Sequence, residues 1–158
     1  MQLMYNTCIM DYETLPHYWV NHLGFQIRKK LEEGFAAKKL DVTAEEWALL
    51  LILSNHEKLS PTDLSQLSLR DTTTVSRMLD RLERKALIAR RRTHKDRRKV
   101  DIEMTPAGRE LFPELAEVAQ SLIAASLVGV APEHQKVVTG ILRKMSANLA
   151  EMKGKPDV

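Results

Sequence analysis

A single cysteine, Cys8, in 158 residues leaves no internal disulfide and no cysteine-rich zinc site. Aromatic side chains are scarce at 5%, whereas methionine occurs seven times, so the core has to be packed with aliphatic and thioether groups, as suits a helical protein. There is no glycine-rich phosphate loop, no Gly-x-Ser-x-Gly, and no histidine and carboxylate cluster with metal-ligand spacing. His17 and His22 stand five apart and share a helical face poorly. These absences argue against an enzyme, a metal site and a cofactor. No apolar run approaches the roughly 18 residues of a membrane span, and the N-terminus lacks a basic stretch followed by an apolar one. A cytoplasmic protein of one domain or two small lobes is the expectation, with no membrane partner.

What is present is positive charge in one place. The net charge is only +3, yet nine of the 24 Lys and Arg residues lie between Arg84 and Lys99, with Asp96 the only acid among them. A segment this cationic repels itself in isolation, so an anionic partner is the economical explanation.

The segment from Ser60 to Thr105 shows how that charge is mounted. Ser60-Pro61-Thr62-Asp63 is a helix start, with a capping hydroxyl, Pro at the first position and an acid at the positive end. A turn through Ser68-Leu69-Arg70 leads to Asp71, a second N-cap. Val75, Met78, Leu79, Leu82 and Ala86 then form one apolar stripe of a helix. Its other face carries Thr73, Ser76, Arg77, Asp80, Arg81 and Arg84. Short hydrogen-bonding groups near the N-terminus and arginines further along are what a helix reading a major groove requires, although a solvated helix face accounts for the same residues. Leu87 to Arg91 and Lys99 to Met104 are β-type runs, separated by a polar, cationic tip from Arg92 to Arg98. Helix, turn, helix and basic hairpin describe a mainly α fold with a small β-hairpin wing, a winged helix-turn-helix.

Around this segment the chain reads as helices. Trp19, Leu23, Ile27, Leu31 and Phe35 recur every four residues between Thr14 and Lys39. Thr43-Ala44-Glu45-Glu46 is a capping box that opens a helix bearing Trp47, Leu50, Leu51 and Ile52. After Thr105-Pro106 a stripe runs through Leu111, Leu115, Val118, Leu122 and Ile123; Pro113 within it should kink or split the helix. A last helix, from about Pro132 to Met152, carries Val138, Ile141, Leu142, Met145, Leu149 and Met152 on one side. The terminal helices hold more apolar surface than one small lobe covers, so a second copy of the chain is the expected partner.

Asp96-Arg97-Arg98-Lys99-Val100-Asp101-Ile102-Glu103-Met104-Thr105-Pro106-Ala107-Gly108 resembles the wing signature of the MarR family of bacterial transcription regulators, and Thr74 to Glu83 resembles its recognition helix. The family's remaining helices are placed over nearly the whole chain. Two residues depart from the pattern: Ala86 stands where a glycine usually ends the recognition helix, and Met104 stands where leucine is usual.

The resemblance implies a DNA-binding lobe over residues 41–104 and a helical dimerisation region over 14–40 and 105–153, with an arm (1–13) and a tail (154–158). It implies a homodimer, commonly a repressor, on a pseudo-palindromic double-stranded DNA operator. The DNA contacts it implies are Thr72, Thr73, Thr74, Ser76, Arg77, Arg81 and Arg84, with Arg92, Lys95, Arg97 and Arg98 from the wing and Asp96 bracing the hairpin. Dimer contacts fall to Leu15, Leu115, Val138, Leu142, Met145 and Leu149. The family's effector crevice, where the first, second and fifth helices meet the lobe, should include Trp19, His22, Arg28 and Trp47 and suit a small aromatic carboxylate or phenol. Trp19 and Trp47 also sit in apolar stripes, and a plain core role competes with that assignment. A redox-sensing branch of the family places a cysteine at the start of the first long helix. Cys8 lies upstream of that position, which Trp19 approaches more closely, so an inert or surface thiol is the preferred reading. A winged-helix module that binds protein instead of DNA is the alternative function, but it should have lost the wing arginines.

Overall fold

A computed structural model describes residues 11–92 and 100–152. A short 3-10 turn, Tyr12–Thr14, precedes α1 (Pro16–Ala37), α2 (Ala44–Ser54), α3 (Pro61–Ser68), α4 (Thr72–Arg84), β1 (Ile88–Arg92), β2 (Val100–Met104), α5 (Pro106–Ser126) and α6 (Pro132–Glu151). The architecture is mainly α with one antiparallel hairpin, a winged helix-turn-helix. No described helix is long and apolar enough to cross a membrane.

Short polar side chains fix where the helices begin. Thr43 Oγ1 accepts from the Glu46 amide at 3.2 Å while Glu46 Oε2 accepts from the Thr43 amide at 3.0 Å, so each satisfies a donor the helix leaves open. Ser60 and Asp63 repeat the exchange at 3.1 and 3.0 Å. Asp71 caps α4 by accepting from the Thr74 amide at 2.8 Å and the Thr74 hydroxyl at 2.7 Å. Hydrogen bonds from Ser60 and Thr74 hold the Asp63 and Asp71 carboxyls below their ordinary range.

Three helices end in the same way. The amides after α1, α3 and α4 fold back in the paired pattern of a Schellman motif: Lys39 to Ala36 and Leu40 to Phe35, Leu69 to Gln66 and Arg70 to Ser65, Ala86 to Glu83 and Leu87 to Leu82. The left-handed residue is Lys39 (φ 57°), Leu69 (φ 53°) or Ala86 (φ 57°), never glycine. Ala86 thus terminates α4 with the geometry glycine would adopt, and the departure from the family pattern changes the energy of the stop rather than its shape.

The hairpin pairs Ile88 with Met104 through to Arg92 with Val100. Arg92, read from sequence as part of the tip, is therefore the last residue of a strand. Leu59, read as a connector, forms a bridge to Ile102, with its amide and carbonyl bonded at 3.1 and 2.7 Å. This ties the loop before α3 to the wing.

The described residues divide into two compact units between Leu122 and Ile123. In the first, the buried stripe of α4 (Val75, Met78, Leu79, Leu82) meets Leu49, Leu50 and Leu53 of α2, Leu64 of α3 and Ile102 of β2. Leu31 and Phe35 of α1 and Leu115 and Ala119 of α5 belong to the same core. Two expectations change here. Leu115 is fully buried within this unit and has no surface to offer a second copy. The helix containing Pro113 is not split: α5 runs unbroken from Pro106 to Ser126. Pro113 and Arg109, whose carbonyl Pro113 leaves without its helical donor, are both exposed residues.

The outer half of α1 is a different surface. Trp19 (53% exposed), Val20, Leu23, Phe25 and Ile27 continue the apolar pattern of Leu31 and Phe35 without being buried. In the second unit, α6 has no buried residue, and Val137, Val138, Ile141, Leu142 and Leu149 are all exposed.

Candidate nucleic-acid interface

The buried stripe of α4 fixes what the helix can present. With Val75, Met78, Leu79 and Leu82 turned into the core, helical geometry aims Thr73, Arg77 and Arg84 directly outward, with Ser76 and Asp80 beside them. Thr72, Thr73, Ser76, Arg77 and Arg84 are all exposed. Thr74 is different: its hydroxyl donates to Asp71 and is half-buried in the cap, so it belongs to the start of α4 and not to the reading face.

Ion pairs of opposite sense grip the two flanks of α4. On the α2 side, the fully buried carboxylate of Glu46 accepts from Arg81 Nε at 3.0 Å and from Lys85 Nζ at 2.9 Å. Lys85 also donates to the Asp41 carbonyl at 2.8 Å and lies 3.2 Å from its carboxylate. On the wing side the helix supplies the acids. Arg90 of β1 places Nη2 2.7 Å from Asp80 Oδ1 and Nη1 2.8 Å from Glu83 Oε2. Burial would raise the Glu46 pKa, but the Thr43 amide, the Lys85 ammonium and the Arg81 guanidinium outweigh it and hold the carboxyl below its ordinary value.

These pairs revise the charge argument from sequence. Lys85, Arg90 and Arg91, three of the nine clustered cations, are matched by Glu46, by Asp80 with Glu83, and by Glu103, acids lying outside the window in which only Asp96 was counted. Arg81, expected to contact DNA, has its Nε turned to Glu46. Arg77, Arg84 and Arg92 are exposed and enter none of the ion pairs among the described residues. The wing contacts assigned to Lys95, Arg97 and Arg98, the bracing role of Asp96, and Cys8 all lie outside the described residues.

The residues expected to line an effector crevice enter three different sets of contacts. Trp19 and His22 are neighbours, 5.8 Å between rings, in an aromatic group with Tyr18 and Tyr12, and the Trp19 indole donates to the Glu13 carbonyl at 2.8 Å. Arg28 pairs with Glu45 at 3.1 Å. Trp47 is 6% exposed, packed between Phe35 and a stacked Phe112 whose ring centre is 5.1 Å away, so the core role prevails for it. The structure instead forms a cavity of about 310 Å³ lined by Leu53, Ser54, His56, Met104, Arg109 and Phe112. Sequence reasoning missed it because its walls come from the end of α2, the end of β2 and the first turns of α5. Among the described residues no group of three or more His, Cys, Asp or Glu side chains is placed to hold a metal ion.

Residues 42–100 match the family model described as MarR family. The chain is 32% identical over 129 residues to YwaE of Bacillus subtilis, an uncharacterised HTH-type transcriptional regulator, covering 78% of this chain and 72% of YwaE. It is 28% identical over 133 residues to the HTH-type transcriptional repressor YetL of the same organism, covering 82% and 80%. The fold is shared with MepR of Staphylococcus aureus in complex with DNA, with a TM-score of 0.77, 24% identity and coverage of 85% of this chain and 98% of that one. It is shared equally with BpsR of Bordetella bronchiseptica, whose DNA binding is regulated by 6-hydroxynicotinic acid, with a TM-score of 0.76, 24% identity and coverage of 85% and 95%. The winged helix-turn-helix built around α4, and the relationship to regulators over most of their length, place this chain in the MarR family of HTH-type transcriptional regulators.

Proposed function

We propose that the protein is a cytoplasmic, homodimeric repressor that binds pseudo-palindromic double-stranded DNA and is released by a small aromatic acid. The observation that carries the reading is the outward stripe of α4, where Thr73, Ser76, Arg77 and Arg84 stay exposed between two flanks closed by ion pairs. Thr72, Thr73 and Ser76 supply short hydrogen-bonding groups near the N-terminus, Arg77 a fork that matches guanine, and Arg84 a cation for phosphate. Arg92 with Lys95, Arg97 and Arg98 of the wing serve the backbone and the adjacent minor groove, with Asp96 bracing the hairpin. The name of YetL as a repressor and the DNA complex of MepR support this assignment by analogy.

Residues 41–104 are the reading lobe in this proposal, and the helices within 14–40 and 105–153 supply the dimer surface. Leu15, Val138, Leu142, Met145 and Leu149 contribute, joined by Trp19, Val20 and Leu23, all exposed except the half-buried Leu15 and Met145. Exposed apolar rows on two helices are a liability in water and an interface when a second copy covers them. Selection of tight-binding duplexes from a random pool, followed by a mobility-shift assay, tests the reading. Two symmetric half-sites centred about 10 base pairs apart are expected. Recovered duplexes without two-fold symmetry would overturn it.

The effector reading moves to the cavity between α2, β2 and α5. Arg109 and His56 offer donors for a carboxylate, while Leu53, Met104 and the Phe112 ring offer an apolar wall for an aromatic body. The acid named for BpsR is of this chemical class. Binding must favour one lobe arrangement over another, because equal affinity for both shifts nothing. A coupling of about 1–3 kcal/mol would weaken DNA affinity roughly 5- to 150-fold. Aromatic carboxylates should be titrated against DNA affinity and against the emission of Trp47, which stacks on Phe112. A compound that releases DNA equally well from Arg109→Gln would place the site elsewhere.

A further inference from the structure

Glu46 is the one fully buried charged side chain among the described residues, and DNA binding by itself gives it no task. A capping box needs only the exchange with Thr43. Glu46 does more: its two oxygens also hold Arg81 and Lys85, reaching 35 and 39 residues along the chain to the last turn of α4 and the residue after it. One carboxylate thus fixes the start of α2 and the roll of α4 together. The two cations it holds lie on a helix whose outer face meets DNA, and Arg81 is still 43% exposed at its side chain. Without the Glu46 charge, Arg81 has no ion pair among the described residues and Lys85 keeps only the exposed Asp41; both are long enough to swing toward phosphates, and phosphate contacts add affinity without adding sequence information.

We propose that Glu46 is a positioning and charge-masking residue for DNA recognition: it locks the orientation of α4 and withholds Arg81 and Lys85 from the phosphate backbone, so that the open stripe around Arg77 sets selectivity. The clamp on the other flank of α4 works with it. There Asp80 and Glu83 keep Arg90 in the same way, leaving Arg77 and Arg84 as the cations of α4 outside any ion pair among the described residues. The arrangement trades non-specific attraction for discrimination.

This inference rests on the DNA-binding reading, and the test separates the two. Affinity of the full chain for a selected duplex and for a random duplex is measured across a salt series, for the wild type and for Glu46→Gln. Glutamine keeps both halves of the capping box but removes the charge that holds the cations. The expected result is a steeper salt dependence on random DNA, by about 0.9 in log–log slope for each cation released to a phosphate, and a narrowed ratio of selected to random affinity. A purely structural role would weaken both duplexes at unchanged slope, which would overturn the proposal. Arg81→Gln and Lys85→Gln in the wild-type background keep the question open to refutation even if Glu46→Gln misfolds. Each should leave the slope nearly unchanged, and a drop of about 0.9 for either would show that the cation already meets a phosphate. A wild-type chain with no salt-dependent duplex binding would instead reject the DNA-binding reading itself.

Discussion

The Thr105 hydroxyl donates to the carbonyl oxygen of Ala86 at 2.6 Å, and so joins the first turn of α5 to the left-handed stop of α4. The Thr105 hydroxyl oxygen in turn accepts from the Gly108 amide at 3.0 Å, and the Thr105 amide donates to the Leu87 carbonyl at 3.1 Å. The two chain segments approach so closely that a Cβ on Gly108 would lie 2.2 Å from the Leu87 carbonyl oxygen. The threonine and glycine of the wing signature therefore act as a latch between the reading helix and α5. Gly108→Ala should destabilise the fold by about 1–3 kcal/mol, as over-packing against unyielding backbone does. Gly34→Ala meets Val118 Cγ1 at 2.5 Å, a side chain where Gly108 meets backbone, and should cost less. Denaturant unfolding of both variants checks the order.

Ala86→Gly should stabilise the protein. An L-residue in the left-handed region costs about 1–2 kcal/mol, and part of that is offset by the greater freedom of glycine in the unfolded chain. A net gain of about 1 kcal/mol corresponds to a melting rise of about 2–4 °C for a chain of this size. Leu69→Gly should behave alike, because Leu69 is 87% exposed and loses little packing. Unchanged or lowered melting temperatures would mean that the unfolded-state term dominates.

Arg77 and Arg84 should fail in different ways. Arg77→Ala is expected to relax the preference at one base position in each half-site, about 1–3 kcal/mol of discrimination for a bidentate contact to guanine. Arg84→Ala should weaken selected and random duplexes alike and flatten the salt slope by about 0.9. Competition assays distinguish the two, and equal loss on both duplexes for Arg77→Ala would make it a phosphate contact.

Acid should loosen the lobe through Glu46. Its folded pKa lies below the ordinary carboxylate value, so between the two values the unfolded chain binds more protons than the folded one and stability rises with pH. The contribution is complete above the ordinary carboxylate pKa and is lost as pH falls through the folded value. Asp63 and Asp71, both lowered by their caps, act in the same direction. Glu46→Gln should therefore show a shallower decline in stability below about pH 4.5 than the wild type, measured by denaturant midpoint at each pH.

Ile141→Glu and Leu149→Glu should separate a dimer without unfolding its parts, because both residues are more than half exposed in the single chain. Sedimentation equilibrium should move from about twice the 18.0 kDa chain mass to that of one chain, and binding to a symmetric duplex should fall with it. A variant that stays dimeric would put the interface on other residues.

Local rules were enough for the outline of the fold. The caps at Thr43, Ser60 and Asp71, the apolar period of α4 and the β runs beside the basic tip are encoded within a few residues of where they act, so they are legible in order along the chain. The outward stripe of the reading helix follows directly, being the complement of its buried one. Pairings between distant residues were not legible. Glu46 announces a capping box through a spacing of three, but its hold on Arg81 and Lys85 spans more than thirty residues and depends on how α2 and α4 pack. Arg90 stands only ten and seven residues from Asp80 and Glu83, yet their pairing depends on how β1 folds back along α4, and it turned part of an apparent cluster of bare cations into an internal clamp. Trp19 and Trp47 look equivalent in sequence, each an aromatic on an apolar stripe. Only tertiary packing decided that Trp47 lies in the core against Phe112 while Trp19 stays exposed, because a stripe records which side of a helix is apolar and not what covers it.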